Sequence, residues 1–299
     1  MDVSLIIATR DRCQQLQRCL DAVIRLKFDR PWELVVVDNG STDETAQVIQ
    51  KFRGSAPVKV RSVLQPQPGL GNAHNAGVAI ALGKIVAFTD DDCYPEPDLL
   101  RCIWSAFQDS AVGYITGRII LHDRSDHPIT INESTTPVTF PGRSFLGIGA
   151  VAGANMAFRR EVLLEVGGFD PLFGPGSLFN AEELDAASRA SAAGWRGEYR
   201  PDVVVRHHHG RKAADAPRLL KSYAIGAGAY HMKLLLNGEF LWFLQSIYQL
   251  PRRYRFSGRM IAYEPVGAIK YAYLCLKAAL CGRFGMMPER IVRSCRTHS

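Results

Sequence analysis

No window of the 299 residues reaches 18 apolar residues without a charge, so no segment reads as a bilayer-spanning helix. The best candidate, Phe240 to Leu250, has eleven uncharged residues before Pro251. The opening MDVSLIIATRDR lacks a basic segment followed by a long apolar one, so no secretory signal is expected. The seven cysteines form no CxxC pair and are odd in number. They read as free thiols in a reducing compartment, the cytoplasm. No GxGxxG follows the first apolar run, which disfavours a dehydrogenase. There is no internal repeat and no low-complexity segment. Hydrophobic residues make up 47% and charged residues 22%, which excludes wholesale disorder and a multi-pass membrane protein.

Acids are scarce at one end. The chain has 36 Lys and Arg against 29 Asp and Glu, a net charge of +7. Residues 251–299 hold ten basic residues but only Glu264 and Glu289 as acids, so this segment carries +8 and residues 1–250 carry −1. The excess charge belongs to one segment. Nucleic-acid binding is not expected, because no recognition module accompanies the basic residues.

The first ninety residues alternate between short β-branched runs and helical spacing. Strands are expected at 3–8, 33–37, 58–64 and 85–89. Leu16, Leu20, Val23 and Ile24 mark an amphipathic helix, and 70–82 a second one. Ser41-Thr-Asp-Glu44 has the pattern of a capping box opening a further helix that reaches Phe52. Strands separated by helices predict an α/β fold, a mostly parallel sheet with helices on both faces. Beyond it, Pro97 introduces a helix, 112–121 reads as a long strand, and 123–147 as a long loop of the kind that is functional or mobile. A helix near 181–193, a strand near 203–206 and mostly helix after 214 complete the pattern.

Ligands of an open parallel sheet bind beyond the carboxyl ends of its strands. Acids cluster there: Asp11 after the first strand, Asp38 and Asp43 after the second, and Asp90, Asp91 and Asp92 after the fourth. A lone Asp suits a turn or cap, and this reading stays open for Asp11 and Asp43. Three consecutive aspartates repel one another and favour a cation or a donor among them. Hard oxygen ligands suit Mg²⁺ or Mn²⁺. The alternative is a solvated acidic loop.

These pieces together resemble the family 2 glycosyltransferases, which have the GT-A (Rossmann-like) fold. The matching stretches are SLIIATRDR, VVVDNGSTD (35–43), FTDDDCYPEPDLL (88–100), GANMAFRR (153–160), GGFD (167–170), EELDAASRASAAGW (182–195) and YRPDVVVRHHHG (199–210). The resemblance implies a catalytic domain over 1–212, with a nucleotide-binding half (1–95) and an acceptor half (96–212). A basic helical C-terminal extension (213–299) would follow. It implies a hexosyltransferase-type, inverting enzyme that moves a sugar from a UDP-, dTDP- or GDP-sugar to a hydroxyl of a glycan or lipid-linked acceptor. Thr9 and Asp11 would line the nucleoside pocket and Asp38 would hold the base. Gly71 and Asn72 would border the nucleotide, and Asp90 and Asp91 would bind the nucleotide-sugar. Asp92 and His207 would hold Mn²⁺ or Mg²⁺. Inversion needs a carboxylate base. Glu183 stands where relatives carry Asp, with Glu182 and Asp185 as rivals.

Blander readings stand beside several of these. Glu182, Glu183 and Asp185 also suit an acidic first helical turn. The three histidines 207–209 also suit a solvated loop. The stretch from Pro66 to Ala73 suits a turn as well as an anion site, and Trp195 suits the core as well as a stacked sugar. A sugar nucleotidyltransferase is disfavoured because no glycine stands in Ala8-Thr9-Arg10-Asp11. A catalytically impaired scaffold has only the Glu at 183 in its favour. Apolar Ile269, Tyr273, Leu276 and Leu280 share one helical face, with Lys270 and Lys277 on another. That pattern predicts a basic amphipathic segment peripheral on the cytoplasmic face of an anionic membrane, or helices packed on the catalytic domain.

Overall fold

The computed structural model describes residues 1–253 and 258–282. Of the basic tail, Arg255, Arg283, Arg290, Arg293 and Arg296 lie outside the described residues, as does the side chain of Leu280.

The first half runs β1 (Val3–Thr9), α1 (Cys13–Val23), β2 (Trp32–Asp38), α2 (Thr45–Ser55), β3 (Lys59–Leu64), α3 (Leu70–Ile80) and β4 (Ile85–Asp90). Short β5 (Cys93–Pro95) then leads to α4 (Leu99–Ala106), β6 (Val112–Leu121), β7 (Val138–Phe140), β8 (Asn155–Arg159) and α5 (Arg160–Glu165). The chain continues through α6 (Glu182–Ala192), β9 (Arg196–His207), α7 (Ala216–Leu236), α8 (Phe240–Arg253) and α9 (Glu264–Gly282). Among the described residues one sheet of nine strands has the order β3-β2-β1-β4-β8-β6-β9-β5, with β7 beside β9. The expected parallel block β3-β2-β1-β4 is present. Antiparallel β8 joins it to a second part in which β6 and β9 run parallel.

Alternation within the strands explains the two helical layers. Leu5, Ile7, Leu34, Val36, Ile85 and Ala87 face one core with α1, α2 and α4. Ile6, Val35, Val37, Val86 and Phe88 face the other, which holds residues of α3, α5, α6, α7 and α9. A strand buried on both sides has no polar face to show, hence the continuous apolar runs. Glu33 is the exception: its fully buried carboxylate accepts from Ser4 Oγ (2.7 Å) and the Leu82 amide (2.6 Å).

The expected capping box does not form. Helix α2 starts at Thr45, and Asp43 serves its first turn, accepting from the Thr45 amide at 3.0 Å. Ser41 is used elsewhere, its Oγ accepting from the Asp11 amide. Strands β5, β7 and β8 escaped sequence analysis because three to five residues give too little periodicity to read.

The C-terminal helices share the second core. Tyr230 of α7 hydrogen-bonds Ser188 Oγ (2.6 Å) and the Leu146 carbonyl (3.0 Å). Tyr271 of α9 packs between the rings of Phe173 and Phe179. Helices α7 and α9 cross at glycines. A Cβ on Gly228 would fall 1.8 Å from the Glu264 carbonyl oxygen, and one on Gly267 1.8 Å from that of Ile225.

Candidate active site

The carboxyl ends of β1, β2 and β4 meet at one edge of the sheet. Asn39 ties its own loop after β2 to the loop after β3: its side chain donates to the Gln65 and Gln67 carbonyls and accepts from the Gly69 amide. Asp38 is buried and one of its oxygens accepts from the Ser41 amide (2.8 Å). Asp11 sits at φ +52° with its carboxylate bound to the Thr42 amide and hydroxyl. It braces the β1 and β2 loops beside the cleft that Arg10 and Arg12 help to wall.

That cleft has a volume of about 270 Å³ and is walled by Thr9, Arg10, Arg12, Asn39 and the aspartates 90–92, with Gly69, Leu70 and Ala73 opposite. Thr9 Oγ1 donates to Asp91 (2.7 Å). Arg12 reaches both Asp91 (3.0 Å) and Asp92 (2.5 Å), so a guanidinium answers the repulsion among the aspartates. Burial pushes the Asp91 carboxyl up to about 7, against the pull of Arg12 and Thr9. Burial acts on Asp92 too, but His207 and Arg12 outweigh it and hold Asp92 at about 2. Burial and the neighbouring Asp92 raise Asp90.

Gly71 and Asn72 stand between the cleft residues Leu70 and Ala73 in the first turn of α3. Gly71 packs where a Cβ would fall 2.8 Å from the Asp170 carbonyl oxygen and 2.9 Å from that of Phe173. Asn72 turns to the Pro68 carbonyl and to a separate hollow bounded by Asn75, Asp170 and Lys233. The helix start is used internally as well, since the Leu70 amide donates to the Pro175 carbonyl.

His207, at the end of β9, brings its Nε2 to 3.1 Å from Asp92 Oδ1. Asp90, Asp92, Cys93 and His207 offer donor atoms within 4.8 Å of one another. Asp92 Oδ1 and His207 Nε2 face each other, and the buried His207 Nδ1 has no hydrogen-bond partner, which fits a divalent cation taking carboxylate oxygen and imidazole. Burial keeps the Cys93 thiol protonated, so it is a poor fourth ligand. The two following histidines anchor the next turn. Tyr94 OH bonds His208 Nδ1 (2.9 Å), and His209 Nδ1 accepts from the Arg211 amide (3.0 Å).

Asp90 also opens onto a second cavity of about 330 Å³, whose floor includes Glu182, Glu183 and His207 and whose sides include Ile131, Ile148 and Tyr223. Asp90, Leu70, Pro175 and Arg211 line both spaces, so cleft and cavity meet there. Part of the expected long loop, Thr130 to Asn132, walls this cavity. Helix α6 enters it from Ala181 at φ +91°, a strained position for a non-glycine residue. Glu182 is packed between Gly153 and Gly174, with its Oε2 buried and without a hydrogen-bond partner. Burial raises Glu182 well above the ordinary range, and the adjacent Glu183 adds to it. Glu183 is half-buried and is raised by burial.

Asp185, on the same helix, is paired with two cations. Its carboxylate is held by Arg189 (2.7 Å) and Lys233 (2.8 Å), and Lys233 also binds Asp170 (2.7 Å). A carboxylate neutralised by two cations is no proton acceptor. Trp195 also lies away from both spaces, packed on Gly113 with its indole N–H on Glu165. Sequence analysis missed Arg12, Asn39, Arg211 and Tyr223. Only Asn39 gave a signal, as an amide directly after a buried strand.

The model of glycosyl transferase family 2 matches residues 4–167. An uncharacterized glycosyltransferase of Nostoc is 32% identical over 180 residues, covering 58% of this chain and 55% of that protein. This chain thus spans about half the length of that relative. Glycosyltransferase AglE of Haloferax volcanii is 26% identical, over 78% of this chain and 74% of its own. O-antigen chain rhamnosyltransferase RfbN of Salmonella typhimurium is 27% identical, over 70% and 67%. Among solved structures, mannosyltransferase PcManGT from Pyrobaculum calidifontis, in complex with GDP-Man and Mn²⁺, aligns with a TM-score of 0.59. It covers 98% of this chain and 85% of its own at 20% identity, a likeness of fold.

Proposed function

The chain belongs to glycosyl transferase family 2, and on that premise we propose that it is an inverting glycosyltransferase. The donor is a nucleoside-diphosphate sugar and the acceptor a hydroxyl of a glycan or lipid-linked sugar. The observation that carries this reading is the position of Asp90 at the junction of two spaces. One holds the aspartates 91 and 92 with His207 beside them, and the other holds the glutamates 182 and 183.

Asp92 and His207, with Asp90 beside them, are the residues suited to Mn²⁺ or Mg²⁺, which supplies charge neutralisation for a departing diphosphate. Mn²⁺ suits a site with imidazole better than Mg²⁺ does. Thr9 fixes Asp91, and Asn39 holds the loops that shape the nucleotide end. Arg211 faces both spaces and places a positive charge where the diphosphate and sugar would join. On the far side Glu183 takes the proton from the acceptor hydroxyl as that oxygen attacks the anomeric carbon. Attack from the side opposite the leaving group inverts the configuration. Burial raises Glu182 well above the ordinary range and disfavours its charged form, which leaves the base role to the less buried Glu183.

Titration calorimetry with UDP, GDP and dTDP, in the presence and absence of Mn²⁺, tests the assignment. One of the three binds in a metal-dependent way, and Asp92→Asn removes that dependence. Equal binding by the folded variant overturns the metal assignment.

A further inference from the structure

Helices α8 and α9 are apolar on both sides. Trp242 and Phe243 of α8 turn inward to the second core, while Leu241 (72% exposed), Leu244, Ile247 and Tyr248 form an outward stripe. In α9 the inner face is Gly267, Tyr271 and Ala278. The outer face is Val266, Ile269 (69% exposed), Tyr273 and Leu276 (60%). The spacings of three, four and seven place each set on one helical face. Two consecutive helices thus leave apolar stripes open to solvent, a pattern that marks an interaction surface. Of the face expected from Ile269, Tyr273, Leu276 and Leu280, the three residues whose side chains are described are exposed.

Charge says what covers it. Between Phe240 and Gly282 the sequence has six basic residues and a single acid, Glu264. That acid is buried with its Oε2 3.0 Å from His231 Nδ1, so these helices expose no carboxylate. Lys270 and Lys277 are exposed on α9. A second copy would bring basic surface against the same basic surface across a two-fold interface. An anionic bilayer offers both partners at once: phosphate for the cations and acyl chains for the stripes, with tyrosines suited to the headgroup level. No described helix is long and apolar enough to cross a membrane, so the helices would lie in the interface.

We propose that the outer faces of α8 and α9 dock this chain on an anionic lipid surface. The inference rests on the transferase reading for its purpose. Helix α7, on which both helices pack, gives Tyr223 and Ala227 to the wall of the catalytic cavity. Docking therefore holds the acceptor side of the site near the headgroups, where a lipid-linked sugar is presented.

The test is co-sedimentation of the full chain with phosphatidylcholine vesicles, with and without phosphatidylglycerol, at low and high salt. Leu241→Glu/Ile269→Glu is compared with wild type. Metal-dependent hydrolysis of a soluble nucleotide-sugar without vesicles is measured in parallel, so failure of docking is separated from failure of the transferase reading. Wild type pellets with anionic vesicles only, and the double variant loses at least about tenfold in partitioning at unchanged hydrolysis, as expected for two lost apolar contacts. Wild type remaining in the supernatant, or a variant that pellets as well as wild type, overturns the proposal. So does light scattering that shows a wild-type dimer lost in the variant, which assigns the face to a second copy.

Discussion

Glu182 and Glu183 are neighbours with different fates. Both line the cavity, but Glu182 is wedged between two glycines with an unmet oxygen, whereas Glu183 is half-buried. Burial raises both carboxyls. A base must be deprotonated, so transfer increases with pH through a carboxyl titration lying above the ordinary glutamate range. Glu183→Gln is expected to lower turnover by about 10²–10⁴-fold at every pH while leaving donor binding intact. Steady-state rates across pH check this, and a variant with the wild-type profile places the base elsewhere. At this scale the sequence was legible where chemistry needs a rare cluster, as in Asp90-Asp91-Asp92. It was ambiguous where one residue type serves two ends. Asp11 and Asp185 are acids at the expected places, yet one Asp11 oxygen takes both Thr42 donors and Asp185 pairs with Arg189 and Lys233.

Among elements, the buried cluster of Asp170, Asp185, Arg189 and Lys233 fastens α6, which carries the two glutamates, to α7 and to the turn after α5. Arg189 also donates to the Val166 and Gly168 carbonyls. Removing one partner leaves buried charge uncompensated, which costs about 3–5 kcal/mol. Lys233→Met is expected to lower stability by that amount in denaturant unfolding, whereas an unchanged midpoint denies the cluster its structural role. The strand and helix pattern of 3–90 was legible because β1, β2 and β4 are buried on both faces and the helices mainly on one. The start of α3 was not. Gly71 reads as an anion-site glycine, but its missing Cβ makes room for the Asp170 and Phe173 carbonyls, contacts between residues about a hundred positions apart.

In the whole molecule, the cleft at the aspartates and the cavity at the glutamates are built largely by different parts of the chain. Residues 1–95 supply the aspartates and Arg12, while α6, β9 and α7 supply Glu182, Glu183, His207 and Tyr223. Motifs marked both parts, but their meeting at Asp90 follows from the sheet order, in which β8 reverses direction between β4 and β6. No local pattern encodes that reversal. The same holds for the C-terminal helices, whose amphipathic spacing was plain but whose outward side depended on the glycine crossing of α7 and α9. The central claim is that a nucleotide-sugar binds across this junction with a divalent cation. A panel of UDP-, dTDP- and GDP-sugars incubated with the protein and Mn²⁺ or Mg²⁺, assayed for nucleoside diphosphate release, tests it without knowledge of the acceptor. Slow release from at least one donor, abolished by a chelator, is the predicted result. No release from any donor by the folded protein, with or without metal, would contradict it.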